Sequence, residues 1–326
     1  MRFVIYGAGA VGNAIGARLA VEGADVTLIA RGAAVPALRE RGVSLVTPAW
    51  QGGARPRVVE HPREIAWTGD EIAIVAVKSQ DTATVLDALA GCAPPSIEVV
   101  CAQNGVANEP AALRRFPRVI SMYVWMPAEQ LEPGAVRIYA GPRAGILDVG
   151  RYPRGVDAPV TALARALALA PFEAEARPDI MAWKHRKLVW NLNNAVDALC
   201  GTTATDEARE LVRRAWAEGD AVLAAAGIAA ISDAEETARR GDRFPFQPID
   251  GAFRSGGSTW QSLARATGSI EIDYLNGEIV LLGRLHGVAT PVNELLQRAV
   301  NEAARDRRPP GSVTPGELLG RLGALS

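Results

Sequence analysis

Phe3-Val4-Ile5-Tyr6-Gly7-Ala8-Gly9-Ala10-Val11-Gly12 is the stretch that decides the fold of this 326-residue chain. A short apolar run meets a G-x-G-x-x-G turn, and a helical pattern follows over residues 10–22. Gly7 permits the tight turn, Gly9 lets the backbone approach a pyrophosphate, and Gly12 lets the helix pack closely on the strand. The N–H groups at the helix start then face the phosphates. Strand, glycine turn and helix together mark a dinucleotide site. An empty structural turn is the competing reading.

The first half continues this alternation. Residues 3–6, 25–30, 43–46, 71–77, 97–101 and 119–124 read as strands. Residues 10–22, 33–41, 80–90 and 109–116 read as helices, with Ser79 and Asn108 placed as N-caps of the last two. Near-continuous apolar strands alternating with helices imply a doubly wound parallel sheet covered on both faces. Residues 136–140 and 145–149 read as a closing hairpin, and 159–169 as a further helix.

Near Arg177-Pro178 strand signals stop, which predicts a Rossmann-like domain over 1–177 and an all-helical domain over 178–326. Helical patterns cover 179–199, 206–226, 233–240, 259–266, 274–285 and 292–302, punctuated by Gly227, Gly241, Gly287 and Pro291. Residues 241–257 have no period and read as a loop, and 307–315 as a loose linker to a last short helix. The 274–285 helix has apolar surface enough for the core or for a homodimer contact.

Composition narrows the function classes. With 35 basic and 36 acidic residues, the chain shows no electrostatic case for nucleic acid or an anionic membrane. No apolar run approaches the roughly 20 residues of a membrane span. Met1-Arg2 leads straight into the first strand and leaves no room for a targeting peptide, so a cytoplasmic location is expected. Cys92, Cys101 and Cys200 are far apart and read as buried hydrophobes or thiols in a reducing compartment. His61, His185 and His286 form no zinc motif, and no metal site is expected.

Cofactor type is read about twenty residues beyond the glycine turn, where an NAD enzyme places an acid for the ribose 2′-hydroxyl. Here the second strand ends Leu28-Ile29-Ala30-Arg31, with no acid and an arginine. A guanidinium suits a 2′-phosphate, which favours NADP, although a plain surface arginine is also compatible. Lys78 and Asn104 each follow an apolar strand at its carboxyl end, where open α/β sheets bind ligands. Alone, each is as readily a solvated charge or a turn residue.

The most unusual segment runs from Trp183 to Asn194. Leu188, Leu192, Val196 and Leu199 form an apolar stripe, and Lys187, Asn191 and Asn194 form a polar stripe beside it. Asparagine is a poor helix-interior residue, so Asn191, Asn193 and Asn194 have no helix-forming rationale. A polar stripe facing a cleft supplies one, with Lys187 as proton donor and Asn191 as an orienting amide. The bland alternative is a solvated basic face made of Lys184, Arg186 and Lys187.

Taken together, these features resemble the ketopantoate reductase family. The resemblance rests on the glycine loop, Lys78, Gln103-Asn104-Gly105, the Lys187-x-x-x-Asn191 helix and Glu271-Ile-Asp-Tyr-Leu-Asn-Gly277. It implies hydride transfer from NADPH to the carbonyl of a small 2-keto acid, with ketopantoate the best single substrate. Lys187 then falls on the proton donor, and Asn191 and Ser258 on substrate-binding positions. Asn104 falls beside both nicotinamide and substrate. Ala128, by its spacing from Asn104, falls on a backbone contact to the cofactor, and Glu271 on a cofactor-binding glutamate. Ala195, Thr205 and Ser255 stand where the family usually carries asparagines. These departures suggest a bulkier 2-keto acid or ketone. A relative acting on C–N bonds and a non-catalytic NADP(H) sensor are the competing classes.

Overall fold

The computed structural model describes residues 1–241 and 245–324. In chain order the elements are β1 (Arg2–Tyr6), α1 (Ala10–Val21), β2 (Asp25–Ile29), α2 (Ala34–Arg41), β3 (Val43–Thr47), β4 (Trp50–Ala54), β5 (Arg57–Val59), β6 (Ile72–Val75), α3 (Thr82–Ala90), β7 (Glu98–Cys101), α4 (Asn108–Leu113), β8 (Val119–Trp125), β9 (Ala128–Glu132), β10 (Ala135–Ile138), β11 (Ile146–Arg151) and α5 (Ala158–Leu169). Then come α6 (Ile180–Asn191), α7 (Asn193–Cys200), α8 (Asp206–Ala225), α9 (Asp233–Arg240), α10 (Ser258–Ala264), α11 (Asn276–His286), α12 (Pro291–Arg305) and α13 (Pro315–Gly323).

The chain divides into two compact units. The first comprises Met1–Met181 and Ala234–Arg254, the second Ala182–Asp233 and Ser255–Ser326. Beside the change of pattern near residue 177, a later segment, 234–254, packs with the sheet unit. The reason is electrostatic. Arg239 on α9 is buried and bonds Asp148 of β11 twice, at 2.7 and 2.9 Å. Arg177 Nε reaches the same carboxylate at 2.6 Å. Tyr123 of β8, fully buried, donates to Glu236 at 2.6 Å. Buried charges are the anchors of this helix.

The first unit holds a seven-stranded sheet in the order β11-β8-β7-β6-β1-β2-β5, parallel except for β11 against β8. Alternate residues of β1 feed two cores. Phe3 and Ile5 pack on the α1 side, Val4 and Tyr6 on the side of Val85, Leu86 and Leu89 from α3. A second, four-stranded sheet runs β4-β3-β10-β9. It corrects the expected hairpin: β10 pairs with β3 and β9, and β11 pairs with β8. Helix α1 packs against strands of both sheets, which is why its residues Gly12 to Leu19 are all buried. Its buried Arg18 lies over the Trp50 ring at 3.7 Å.

The second unit is helical. The helix expected over 179–199 is two helices, broken at Leu192. The Leu192 N–H bonds back three residues to the Val189 carbonyl, a tighter turn than the α-helix uses, and the Leu192 carbonyl accepts from buried Asn276. Asn276 in turn bonds Asn293, whose helix α12 starts on the Glu218 carboxylate. Helix α11 buries Ile279 and Val280 and leaves Leu281 and Leu285 exposed. The tail is not a loose linker. Gly311 and Val313 donate to the Ala198 and Leu199 carbonyls at 3.0 Å each, and Thr314 with Glu317 forms a capping box on α13. Of the expected 241–257 loop, residues 242–244 lie outside the described residues, while Ala140 bridges Phe246 and Ile249 bridges Ala252.

Candidate active site

In the first unit, the carboxyl ends of β1, β2, β6 and β7 lie side by side, because Tyr6 pairs with Ile29 and Val75, and Val75 with Cys101. The residues that follow those strands share one edge of the sheet: Gly7–Gly12, Arg31, Lys78 and Asn104. This edge is where the chain leaves β1 to one side and β6 to the other, the ligand crevice of doubly wound sheets.

Each glycine of the turn has its own reason. Gly7 has φ +119°, and a Cβ there would meet the Ala76–Val77 backbone at 2.8 Å. A Cβ on Gly12 would lie 2.0 Å from the Gly7 carbonyl oxygen. Gly9 differs: it is exposed and extended, and a Cβ there would meet nothing within 4 Å. Its bareness serves no packing inside the chain and leaves open space beside the N-terminus of α1, which has no side-chain cap. Ala8, Ala10 and Val11 stay half-buried around it. Those features fit a pyrophosphate.

Two amides hold this loop. Asn13 on α1 and Gln130 on β9 both donate to the Ala8 carbonyl, at 2.9 and 3.1 Å, and Asn13 also donates to Gln130 at 2.8 Å. Ala128 begins that strand and is buried. Neither Asn13 nor Gln130 carried a motif in the sequence.

Ser79 and Asn108 do not act as helix caps, which corrects that expectation. Ser79 opens a 3-10 turn, Asn108 is the first residue of α4, and neither helix has a side-chain cap. The two meet in a buried knot instead. Asn108 donates to Ser79 Oγ at 3.1 Å and to the Asn104 carbonyl at 3.0 Å. Thr82 donates to Asn108, and Gln103 donates to Thr82 and to the Val77 carbonyl. The knot ties the loop bearing Lys78 to the loop bearing Asn104. Arg31 is exposed and pairs with Asp81 at 3.7 Å. Burial pushes the Tyr6 phenol up, and Arg31 partly opposes that shift.

In the second unit, Lys187 and Asn191 sit one turn apart on α6, both half-buried. The solvated basic face is overturned: Lys184 is buried, and Arg186 bonds the Ile231 carbonyl and Asp220 at 2.8 Å each. His185 is pushed down to about 4, chiefly by burial, so the imidazole is neutral. Past the break, Asp197 accepts from the Gly257 N–H at 2.9 Å, and a Cβ on Gly257 would meet Asn194 Oδ1 at 3.0 Å. This clasp fixes the residue before Ser258, which opens α10 against α7. Glu271 is buried at the start of a 3-10 turn in the same unit. Of the three departures, Ala195 is fully buried, Thr205 is exposed and caps α8, and Ser255 is exposed.

Comparison with known proteins fits this arrangement. The N-terminal model described as ketopantoate reductase PanE/ApbA matches residues 3–153, and the corresponding C-terminal model matches 179–304. The chain belongs to the ketopantoate reductase family. It is 31% identical to the 2-dehydropantoate 2-reductase of Caulobacter vibrioides, over 92% of this chain and 98% of that one. It is 26% identical to the enzyme of that name from Pyrococcus horikoshii, over 91% and 95%. A PanE/ApbA family ketopantoate reductase structure from Ralstonia eutropha superimposes with a TM-score of 0.79 at 27% identity, covering 94% of this chain and all of that one. The family places the chain among NADP-dependent oxidoreductases acting on CH–OH groups, with NADP(H) as cofactor. No helix among the described residues is long and apolar enough to cross a membrane.

Proposed function

We propose that the chain reduces a small 2-keto acid with NADPH, ketopantoate being the best single candidate, and that Lys187 supplies the proton. The observation that carries this reading is that the family likeness spans both halves, the one with the bare Gly9 cradle and the one with Lys187 and Asn191.

Bound NADPH supplies a hydride to the substrate carbonyl. The glycine loop would hold the pyrophosphate on the α1 N–H groups, Arg31 would take the 2′-phosphate, and Lys78, Asn104, Ala128 and Glu271 would complete the cofactor contacts. As hydride arrives, negative charge grows on the carbonyl oxygen. The Lys187 ammonium stabilises that charge and then gives up a proton to it. Asn191 orients the substrate, and Ser258, held in place through the Asp197–Gly257 clasp, donates to its carboxylate. Ala195 is packed on all sides, and Thr205 is engaged as a helix cap.

The test is NADPH oxidation against a panel of 2-keto acids, ketones and keto acid–amine mixtures. Ketopantoate should give the highest kcat/KM. A bulkier keto acid turning over faster would move the substrate, and a strict amine requirement would move the reaction to C–N bonds. No turnover with any substrate, despite tight NADPH binding, would favour the sensor.

The cradle has its own check. Gly9→Ala should leave the unfolding temperature unchanged and weaken NADPH binding by about tenfold or more, because the methyl enters the phosphate's space. Gly12→Ala should instead destabilise the fold, since its Cβ would lie 2.0 Å from the Gly7 carbonyl. Isothermal titration and thermal unfolding read both.

A further inference from the structure

An acid was missing from the end of β2, where the sequence pattern looks for one. The fold supplies it from another strand. Asp81, in the turn between β6 and α3, comes within 3.7 Å of Arg31. Both side chains are about half exposed, 58% for Arg31 and 45% for Asp81, so an ion pair of this kind adds little to stability. Asp81 makes no side-chain cap on α3. Its carboxylate is therefore not consumed by the helix beside it.

We propose that Arg31 and Asp81 act together on the 2′ position of the adenosine ribose, so that the site accepts NADH as well as NADPH. The inference rests on the cofactor reading above. A 2′-phosphate carries close to two negative charges near neutral pH. Against Arg31 alone it would meet a clear positive field. Against the pair it meets one cation and one anion, and Asp81 repels it. A 2′-hydroxyl is neutral and can donate to the Asp81 carboxylate, which is the contact an NAD site provides. Each cofactor thus has one partner in the pair, and neither has the field to itself. Asp81 is a specificity-determining residue set on a different loop from the one the glycine-turn rule inspects.

The experiment is titration of NADPH and NADH into the intact protein, followed by quenching of tryptophan fluorescence. In the wild type the two Kd values should lie within about tenfold of each other. Asp81→Asn should tighten NADPH by about three- to tenfold and weaken NADH by a similar factor, as expected for one partly screened charge at short range. The NADPH gain should shrink as salt rises from low to physiological levels. Arg31→Gln should do the reverse. Adenosine 2′,5′-bisphosphate and 5′-AMP, which lack nicotinamide, should follow the same order and place the effect at the ribose. A wild-type preference for NADPH of about a thousandfold, or an Asp81→Asn variant with both constants unchanged, would overturn the proposal. If Gly9→Ala also left both constants unchanged, the cofactor reading itself would fall.

Discussion

Replacing Lys187 by alanine is expected to reduce kcat for keto acid reduction by about a hundredfold to ten-thousandfold, the range for loss of a positioned proton donor that also stabilises developing charge. NADPH affinity should stay within about twofold of wild type, because the contacts at the glycine turn are untouched. Lys187→Arg separates the two roles. Arginine keeps the positive charge but does not release a proton at working pH. It should recover part of the binding of substrate and little of kcat. Steady-state rates with matched titrations of NADPH decide the matter. Near wild-type rates in Lys187→Ala would remove this lysine from the mechanism, and the half-buried Asn191 beside it would then have no partner in the chemistry.

The second large effect is on stability. Asp148 is fully buried and receives two bonds from Arg239, one from Arg177 and one from the Glu175 N–H. Asp148→Ala leaves the buried Arg239 guanidinium with only Glu173 and Glu175, each at 3.5 Å. Breaking one side of such a pair costs about 3–5 kcal/mol, or about 4–7 °C in unfolding temperature for a chain of this size. The double variant Asp148→Ala, Arg239→Met should recover part of the loss, since the buried guanidinium is then gone. Differential scanning calorimetry reads both. Limited proteolysis should show earlier cleavage around α9 in the single variant, because Arg239 and Glu236 are what hold that helix to the sheet.

Most parallel strands were legible because each is a continuous apolar run bounded by glycine or polar residues. Two strands of the second sheet and the edge strand β5 of the first were not. Trp50–Ala54 contains Gly52 and Gly53, Ala128–Glu132 is largely polar, and Arg57–Val59 is three residues long. No periodicity survives in such segments. The expected hairpin failed because closeness in sequence favours pairing only as a tendency, and here β10 was drawn into the other sheet by its register with β3. Helix α9 was read with its bounds, but its packing on the sheet was not, since Glu236 and Arg239 look like surface charges until their partners are known. At the candidate site, the residues that stood out in the sequence are those that carry a motif: the glycines, Arg31, Lys78, Gln103, Asn104, Lys187 and Asn191. Asn13, Thr82 and Gln130 did not, and Asn108 was read only as a cap, because an amide or hydroxyl announces its role only through its partner in space. Asp81 belongs to the same class.

The clamp on the Ala8 carbonyl has an entropic consequence. A glycine-rich loop would ordinarily sample many backbone states, and a ligand would have to freeze them one residue at a time. Here Asn13 and Gln130 grip the loop from two different elements, and α1 is wedged between two sheets behind it. If the loop receives the cofactor phosphates as proposed, it is held before they arrive, and little of the binding free energy goes into ordering it. Gln130→Ala would spend that advantage without removing a single atom from the ligand's own contacts.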